Sequence, residues 1–265
     1  EDNVDPIAIC QNVIVQLDAA GSASITTADI DNGSNDACGI QSLVLDKTTF
    51  DCSNVGANTV TLTVTDNNGN TATCTATVTV QDNINPNAIC QNVTIQLDGT
   101  GNASITTGDI DNGSNDNCGI ASLSLNQTAF DCNDVGANTV TLTVTDDNGN
   151  AATCTAIVTI EDNVDPIAIC QNLTVQLDAT GNATIAEDAV NNGSTDACGG
   201  LTYDTDITAF TCANVGANTV TLTVTDDNGN TATCTAIVTI EDNVDPIAIC
   251  QNVIVQLDAA GSASI

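Results

Sequence analysis

Almost all of the side chains in this sequence that could do chemistry are carboxylates and amides. Of 265 residues, 34 are Asp or Glu and one is basic, Lys47, and the chain has no His. Carboxylates, Asn amides and backbone carbonyls are hard oxygen ligands, which suit Ca²⁺. The chemistry that these residue types favour is therefore the binding of a divalent cation.

The same composition excludes several other functions. Without His and with a single Lys, catalysis by a His base or a Lys Schiff base is impossible. Nucleic-acid binding needs many Lys and Arg side chains, and no apolar run approaches the roughly 18 residues of a membrane helix. Paired acids could serve a glycosidase, but their recurrence along the chain and aromatic residues at only 2% argue against it. We expect no enzyme, no nucleic-acid partner and no membrane insertion.

The chain is built from a repeat of 80 residues. The string AICQN at Ala8 returns at Ala88, Ala168 and Ala248. A unit of this size matches a small independent domain rather than one turn of a solenoid. We therefore predict four domains, namely repeat 1 (1–80), repeat 2 (81–160), repeat 3 (161–240) and a partial repeat 4 (241–265) that holds only first strands.

The partial repeat carries a further indication. Residues 241–265 are identical to residues 1–25, although repeats 2 and 3 differ from repeat 1 over the same stretch. A super-repeat of 240 residues explains this identity, and we expect the chain to be an excerpt of a longer array. An exchange of strands with a neighbouring chain is the alternative.

Within a repeat, the apolar residues follow the period of β-strands. Val60, Leu62 and Val64 alternate with Thr, and the same alternation runs over residues 71–80. This pattern is typical of half-buried antiparallel strands. The intervening DNNGN segment is a strong hairpin signal. No segment shows helical spacing, so we predict an all-β sandwich.

Three motifs of repeat 1 resemble the hyalin repeat (HYR): DNVDPIAIC from Asp2, DACG from Asp36, and VTDNNGNTATC from Val64. Cys52, close after Phe50, resembles the four-Cys bacterial variant more than the animal form. The resemblance covers all three full repeats. It implies tandem immunoglobulin-like β-sandwich domains in an elongated array, found in extracellular or bacterial cell-surface proteins, with adhesion or a structural stalk as the function.

The cysteines favour disulfides. Each full repeat has four, and Cys250 is the thirteenth. An even count per small repeat, without a Cys-x-x-Cys pair, indicates disulfides and an oxidising, extracellular compartment. Three pairings are possible per repeat. The first and last strands of an immunoglobulin-like sandwich run side by side, which favours Cys10–Cys74, and Cys38–Cys52 follows by elimination. The expected pairs are Cys10–Cys74, Cys38–Cys52, Cys90–Cys154, Cys118–Cys132, Cys170–Cys234 and Cys198–Cys212.

The same fold brings the acidic segments together. The entrance to the first strand (1–5), the loop before the third strand (29–36) and the last hairpin (66–70) lie at one end of such a sandwich. Only residues 81–85 separate Val80 from Pro86, so neighbouring repeats must nearly touch. So many like charges pack unfavourably unless a cation bridges them, as in the acidic linkers of cadherins. The expected Ca²⁺ ligands are Asp2, Asn3, Asp5, Asp31, Asp36, Asp66, Asn68, Asp82, Asn83, Asp111, Asp116, Asp146, Asn148, Glu161, Asp162, Asp165, Asp196, Asp226, Asn228 and Asp242.

Other interpretations of the same residues stay open. Asp, Asn and Gly are also ordinary turn residues, and surface acid keeps a secreted protein soluble. Repeat 3 has Asn191 at the position of Asp31 and Asp111, so affinity would differ between repeats.

Three functions are compatible with the sequence. The first is a calcium-stiffened structural or adhesive array, with further copies of the chain as partners, joined end to end or laterally. The second is a binding module for carbohydrate, a surface ligand or ice on the Thr-rich strand faces, although Thr is also a common solvent-facing strand residue. The third is a passive spacer in a larger secreted protein.

Overall fold

The structure is a computed structural model that describes residues 3–265. The three full repeats have the same order of strands. Each repeat has six strands, and the fifth and sixth are the longest because they carry the uninterrupted alternation of Thr with apolar residues. The strands of repeat 1 are β1 (Val13–Gln16), β2 (Ser22–Ser24), β3 (Ile40–Leu45), β4 (Thr49–Asp51), β5 (Gly56–Asp66) and β6 (Thr71–Gln81).

Repeats 2 and 3 reproduce this order. The strands of repeat 2 are β7 (Val93–Gln96), β8 (Asn102–Ser104), β9 (Ile120–Leu125), β10 (Ala129–Asp131), β11 (Gly136–Asp146) and β12 (Ala151–Glu161). Those of repeat 3 are β13 (Leu173–Gln176), β14 (Asn182–Thr184), β15 (Leu201–Thr205), β16 (Ala209–Thr211), β17 (Gly216–Asp226) and β18 (Thr231–Glu241). Residues 242–265 form no strand.

The strands of each repeat form two sheets. In repeat 1 the larger sheet has the order β1-β6-β5-β3, and β2 pairs with β4 in a second, two-stranded sheet. β1 runs parallel to β6, whereas β5 is antiparallel to both of its neighbours. The same arrangement recurs in repeats 2 and 3. The prediction of an all-β chain with tandem β-sandwich domains is confirmed.

Alternation along the strands builds the core of each repeat. Val60, Leu62 and Val64 of β5 are completely buried and pack against Val78 of β6 and against Phe50. Each Thr between them faces the other way, so that β5 and β6 pair four Thr of one strand with four of the other. Burial of one face and exposure of the other is what a period of two residues produces.

The prediction that no segment is helical is wrong over one turn. Residues Thr27–Ile30 form a helix (α1), and Thr107–Ile110 form its counterpart in repeat 2 (α2). The side chain of Asp29 accepts hydrogen bonds from the backbone and hydroxyl of Thr26, at 2.7 and 2.8 Å, which caps the turn. Repeat 3 has Ala at both of these positions, Ala186 and Ala189, and the segment there is a turn rather than a helix.

One disulfide in each full repeat joins the first to the last strand region. Cys10 is bonded to Cys74, and the equivalent bonds in repeats 2 and 3 join the same two positions. These are the pairs that the immunoglobulin-like arrangement favours. Cross-links of this kind stabilise small domains whose cores contain few large side chains. The three bonds are Cys10–Cys74, Cys90–Cys154 and Cys170–Cys234.

The other expected pairing is wrong. Cys52 of repeat 1 is bonded to Cys118 of repeat 2, which excludes both Cys38–Cys52 and Cys118–Cys132. Cys212 has no disulfide partner among residues 3–265, which excludes Cys198–Cys212. The expected pairing assumed that every disulfide forms within one repeat. The loop that carries Cys118 lies against repeat 1, and the sulfur of Cys118 is therefore bonded to Cys52.

The chain folds as two compact units, one ending at Asp162 and one beginning at Asn163. Repeats 1 and 2 both belong to the first unit. Across residues 3–265, none of the helices combines the length and the apolar character that crossing a membrane requires.

Candidate metal centre

Three carboxylates meet where repeat 1 is joined to repeat 2. Asp82 directly follows β6, Asp116 lies in the loop before β9, and Asp146 is the last residue of β11. One carboxylate oxygen from each lies within 4.8 Å of one from each of the others. We call Asp82, Asp116 and Asp146 the junction cluster. It unites a residue that follows the last strand of one repeat with two residues of the next.

Asp82 is the member of the cluster with an unsatisfied atom. Its side chain is 5% exposed. Its Oδ1 accepts a hydrogen bond from the backbone N–H of Ile84 at 3.1 Å. Its Oδ2 is buried and accepts no hydrogen bond from any residue in the range 3–265. A buried carboxylate oxygen without a partner is costly, and a bound cation would compensate that cost.

Asp146 is positioned by the hairpin that it opens. It is 1% exposed. Its Oδ1 accepts hydrogen bonds from the backbone of Asn148 and Asn150, at 2.9 and 2.7 Å, and its Oδ2 accepts one from the Asn150 side chain at 2.8 Å. Asn150 also donates to the backbone carbonyl of Asp82 at 3.1 Å, which ties the hairpin of repeat 2 to the end of repeat 1. The Asp-x-Asn-Gly-Asn turn therefore both forms the hairpin and directs a carboxylate to the junction.

Asp116 is positioned by its own loop. Its Oδ2 accepts a hydrogen bond from the backbone N–H of Cys118 at 2.7 Å. Cys118 in turn is bonded to Cys52 of repeat 1. The three carboxylates are thus directed by a strand end, a hairpin and a disulfide-anchored loop.

The spacing of the cluster fits a single ion. Two oxygens bound to the same Ca²⁺ at about 2.3–2.6 Å lie at most about 5 Å apart, and the cluster oxygens are within 4.8 Å of each other. Without a cation, two unit charges at that distance repel by about 3.5 kcal/mol at an effective dielectric constant of about 20. The only basic side chain, Lys47, is elsewhere in repeat 1, with its Nζ 4.8 Å from the centre of the Phe50 ring. The residues present therefore fit a hard divalent cation.

The equivalent hairpin aspartates in repeats 1 and 3 have the same turn geometry. Asp66 accepts hydrogen bonds from Asn68 and Asn70, and Asp226 accepts them from Asn228 and Asn230. Burial acts to raise the pKa of Asp66, but the hydrogen bonds from Asn70 and its neighbours outweigh it and hold that pKa below its ordinary value. The pKa of Asp226 is lowered for the same reason. Both carboxylates therefore stay ionised at neutral pH.

Other expected ligands are engaged in turns. Asp31 and Asp111 each accept a hydrogen bond from the backbone of the Ser three residues later, at 3.0 Å, and neither belongs to the junction cluster. Asn191 accepts the same bond through its amide oxygen, at 3.0 Å from Ser194. An amide performs this role as well as a carboxylate does, which explains why repeat 3 carries Asn at this position.

The remaining expected ligands are distributed as follows. Asp36 and Asp196 accept hydrogen bonds from Cys38 and Cys198 at 2.7 Å, as Asp116 does from Cys118. The side chain of Asn83 donates a hydrogen bond to Gln16, in the first strand of repeat 1. Glu161 accepts one from Gln96, in the first strand of repeat 2. Asp162 is buried, and Asp2 lies outside the described residues. The other expected ligands are exposed, namely Asn3, Asp5, Asn68, Asn148, Asp165, Asn228 and Asp242.

Sequence reasoning missed the bond between Cys52 and Cys118 and the role of Asn150 as a link between repeats. The bond has a sequence separation of 66, and Cys10–Cys74 has one of 64. Neither separation distinguishes a bond within a repeat from a bond between repeats. The available signal was the short linker before Pro86, which already required neighbouring repeats to touch.

Among known protein families, one matches the first repeat. The family model of the HYR domain matches residues 1–80. The resemblance inferred from the motifs is confirmed over this range. A search of curated protein sequences finds no match.

Solved structures with tandem domains are similar to the chain at low identity. The I67-I69 fragment of the I-band of titin has 12% identity and a TM-score of 0.42, and the match covers 91% of this chain and 100% of that one. Mouse cadherin-23 EC22-24 has 13% identity and a TM-score of 0.37, with 90% and 99% covered. Protocadherin gamma B7 EC1-4 has 11% identity and a TM-score of 0.36, with 89% and 75% covered.

Proposed function

We propose that the chain is an extracellular, non-catalytic structural or adhesive module in which Ca²⁺ stiffens the joint between repeats 1 and 2. The ion binds the junction cluster of Asp82, Asp116 and Asp146. The disulfides within each repeat stabilise the domains. The Cys52–Cys118 disulfide between repeats 1 and 2 adds a covalent link at the same joint.

One observation carries this proposal, namely the buried Oδ2 of Asp82, which has no partner among residues 3–265. Ordinary turn residues satisfy their carboxylates with nearby N–H groups, as Asp146 does. Asp82 does so with one oxygen only, while two further carboxylates lie within 4.8 Å. A cation at this point would satisfy the orphaned oxygen and neutralise the repulsion together.

The donor set favours Ca²⁺ over other metals. All three ligands are carboxylates, and the chain has no His. Oxygen-only sites assembled from loops suit Ca²⁺, which accepts six to eight oxygens in flexible geometry, whereas Mg²⁺ requires a tighter octahedron. Amide and backbone oxygens of the surrounding loops, together with water, would complete the coordination.

The wider role follows from composition and cross-links. Several disulfides in one chain indicate an oxidising compartment, and the formal charge of −33 keeps such a chain soluble outside the cell. A HYR domain in the first repeat and the 80-residue period support a module that spans distance rather than one that catalyses. Further copies of the chain are the partners that we propose, and divalent cations would screen the repulsion between them.

Calorimetric titration of the full chain with Ca²⁺, after removal of metal by a chelator, tests the proposal. We expect saturable binding in the titration and, in thermal unfolding, a higher unfolding temperature with Ca²⁺ than without it. An Asp82→Asn variant should lose this binding, whereas Asp147→Asn should keep it. Asp147 is an exposed neighbour of Asp146, and the replacement is the residue that repeat 1 carries at the equivalent position, Asn67. Absence of binding by the unmodified chain would overturn the proposal.

A second candidate function rests on the Thr faces of β5 and β6. The two strands pair Thr59 with Thr77, Thr61 with Thr75, Thr63 with Thr73, and Thr65 with Thr71. The result is a regular hydroxyl-bearing face that could contact carbohydrate or ice. Ice-recrystallisation and glycan-array assays test it, and a lack of activity in both would leave these rows as ordinary solvent-facing strand residues.

A further inference from the structure

The disulfide between repeats lies beside the junction cluster. Cys118 comes two residues after Asp116, and its backbone N–H donates to Oδ2 of Asp116 at 2.7 Å. The sulfur of Cys118 is bonded to Cys52, in the short 3-10 turn that follows β4 of repeat 1. One residue therefore both holds a cluster carboxylate and carries a covalent link to the other repeat.

The loop around Cys118 is docked closely on repeat 1. The side chain of Cys118 packs against the hydrophobic core of repeat 1. The sulfur of Cys52 lies 3.4 Å from the backbone oxygen of Asn117. Gly21 has a φ of 72°, and a Cβ built on it would lie 2.8 Å from the Cys52 sulfur and 3.1 Å from the Asn117 oxygen. The contact with Cys52 is within repeat 1, and the contact with Asn117 shows that the Cys118 loop of repeat 2 lies close to Gly21 of repeat 1.

Like charge opposes this docking when no metal is bound. The carboxylate of Asp116 belongs to repeat 2, and Asp82 follows the last strand of repeat 1, so their repulsion acts to separate the two repeats. The disulfide holds the Asp116 loop in place against that repulsion. Holding ligands in their binding positions before the ion arrives raises affinity because the cost of assembling them is already met.

We propose that the Cys52–Cys118 disulfide positions Asp116 for the cation, so that Ca²⁺ binding and the oxidation of this cysteine pair are coupled. This inference rests on the proposed function of the junction cluster. Coupling between two equilibria is reciprocal. The intact disulfide strengthens Ca²⁺ binding, and bound Ca²⁺ makes the disulfide harder to reduce. Reduction by a small dithiol gives two thiols, Cys52 and Cys118, while the dithiol is oxidised to its cyclic disulfide.

The direct test compares Ca²⁺ affinities of full-length variants by calorimetry. Cys52→Ser with Cys118→Ser should bind Ca²⁺ at least about 10-fold more weakly than the unmodified chain, within the usual range of coupling between sites. Cys212→Ser is the matched control, because Cys212 occupies the position of Cys52 in repeat 3, and it is exposed and has no disulfide partner among residues 3–265. Its affinity should equal that of the unmodified chain.

A second measurement needs no cysteine variant and decides the case if the double variant fails to fold. The unmodified chain is equilibrated with a dithiol redox buffer, with and without Ca²⁺, and the reduced fraction of Cys52 and Cys118 is measured by alkylation and mass spectrometry. Saturating Ca²⁺ should lower the ratio of reduced to oxidised pair at least about 10-fold. In Asp82→Asn, Ca²⁺ should leave this ratio unchanged.

The outcomes separate the two proposals. If the unmodified chain binds no Ca²⁺, the proposed function fails and the coupling fails with it. If the chain binds Ca²⁺ but the double variant binds it equally well, or Ca²⁺ leaves the redox ratio of the unmodified chain unchanged, the proposed function stands and the coupling is refuted.

Discussion

Replacement of Asp82 by Asn should stabilise the chain without metal and should remove most of the stability that the unmodified chain gains from Ca²⁺. The variant keeps the size of the side chain and removes its charge. In a chelator, two repulsive pairs disappear, those of Asp82 with Asp116 and with Asp146. Each pair costs from about 1 kcal/mol, as in water, to about 3.5 kcal/mol at an effective dielectric constant of about 20.

A smaller loss opposes this gain. The hydrogen bond from the backbone of Ile84 to Asp82 becomes weaker when its acceptor is neutral, by about 1 kcal/mol. The net stabilisation in chelator should therefore be about 1–6 kcal/mol, or at least several degrees in the unfolding temperature of a domain of this size.

Calcium should shift the difference in stability in favour of the unmodified chain. At a concentration of about 100 times its dissociation constant, the ion stabilises a chain that binds it by about 2.7 kcal/mol, and the Asp82→Asn variant forfeits most of that gain. The assay is thermal unfolding of both chains in chelator and in Ca²⁺, with Asp147→Asn as the control that should follow the unmodified chain in both. An equal difference between the two chains in both conditions would refute the reasoning, because it would show that Asp82 acts without a metal.

Three further predictions concern the single repeats. The pKa of Asp66 is lowered in the folded chain, so its contribution to stability is complete above about pH 4 and is lost as the pH falls through its folded value. Asp66→Asn should therefore flatten the acid limb of a profile of unfolding free energy against pH. An unchanged acid limb would contradict this. Replacing Cys10 and Cys74 with Ser removes a disulfide with a sequence separation of 64. The unfolding free energy of repeat 1, measured with denaturant, should fall by about 4 kcal/mol. A fall below about 1 kcal/mol would mean that the core stabilises the repeat without this disulfide. Phe210 is 1% exposed, and Phe210→Ala should cost about 3–5 kcal/mol of unfolding free energy. Ile207 is 38% exposed, and Ile207→Ala should cost about 1 kcal/mol or less. Equal effects of the two variants would contradict the assigned core.

Much of the fold was predictable because it rests on local alternation. The Thr and apolar periodicity of residues 59–65 and 71–80 defines β5 and β6, and the DNNGN turn joins them as expected. The one-turn helix at Thr27–Ile30 was not predictable from hydrophobic spacing, because a single turn contains too few residues to show a period. Its signal was the Thr26 and Asp29 pair, which has the spacing of a capping box.

The candidate site was predictable only as a set of segments. Sequence patterns indicate which loops converge, and Asp82, Asp116 and Asp146 were all among the expected ligands. They do not indicate where each carboxylate points, and so Asp111 was included although it accepts a hydrogen bond from its own turn. Asn191 of repeat 3 accepts the equivalent hydrogen bond through its amide oxygen, so this position needs an acceptor rather than a charge.

The disulfides show the same limit. The pairing of Cys10 with Cys74 follows from two strands of one sheet, which is a property of a single repeat. The pairing of Cys52 with Cys118 depends on how one repeat packs on the next, and nothing in the periodicity of a single repeat encodes that packing.

The most direct test of the central claim is an anomalous difference map from crystals of the full chain grown in abundant Ca²⁺. We predict a calcium peak at the first junction, at about 2.3–2.6 Å from a carboxylate oxygen of each of Asp82, Asp116 and Asp146. A well-resolved map with these three carboxylates ordered and no peak between them would contradict the claim.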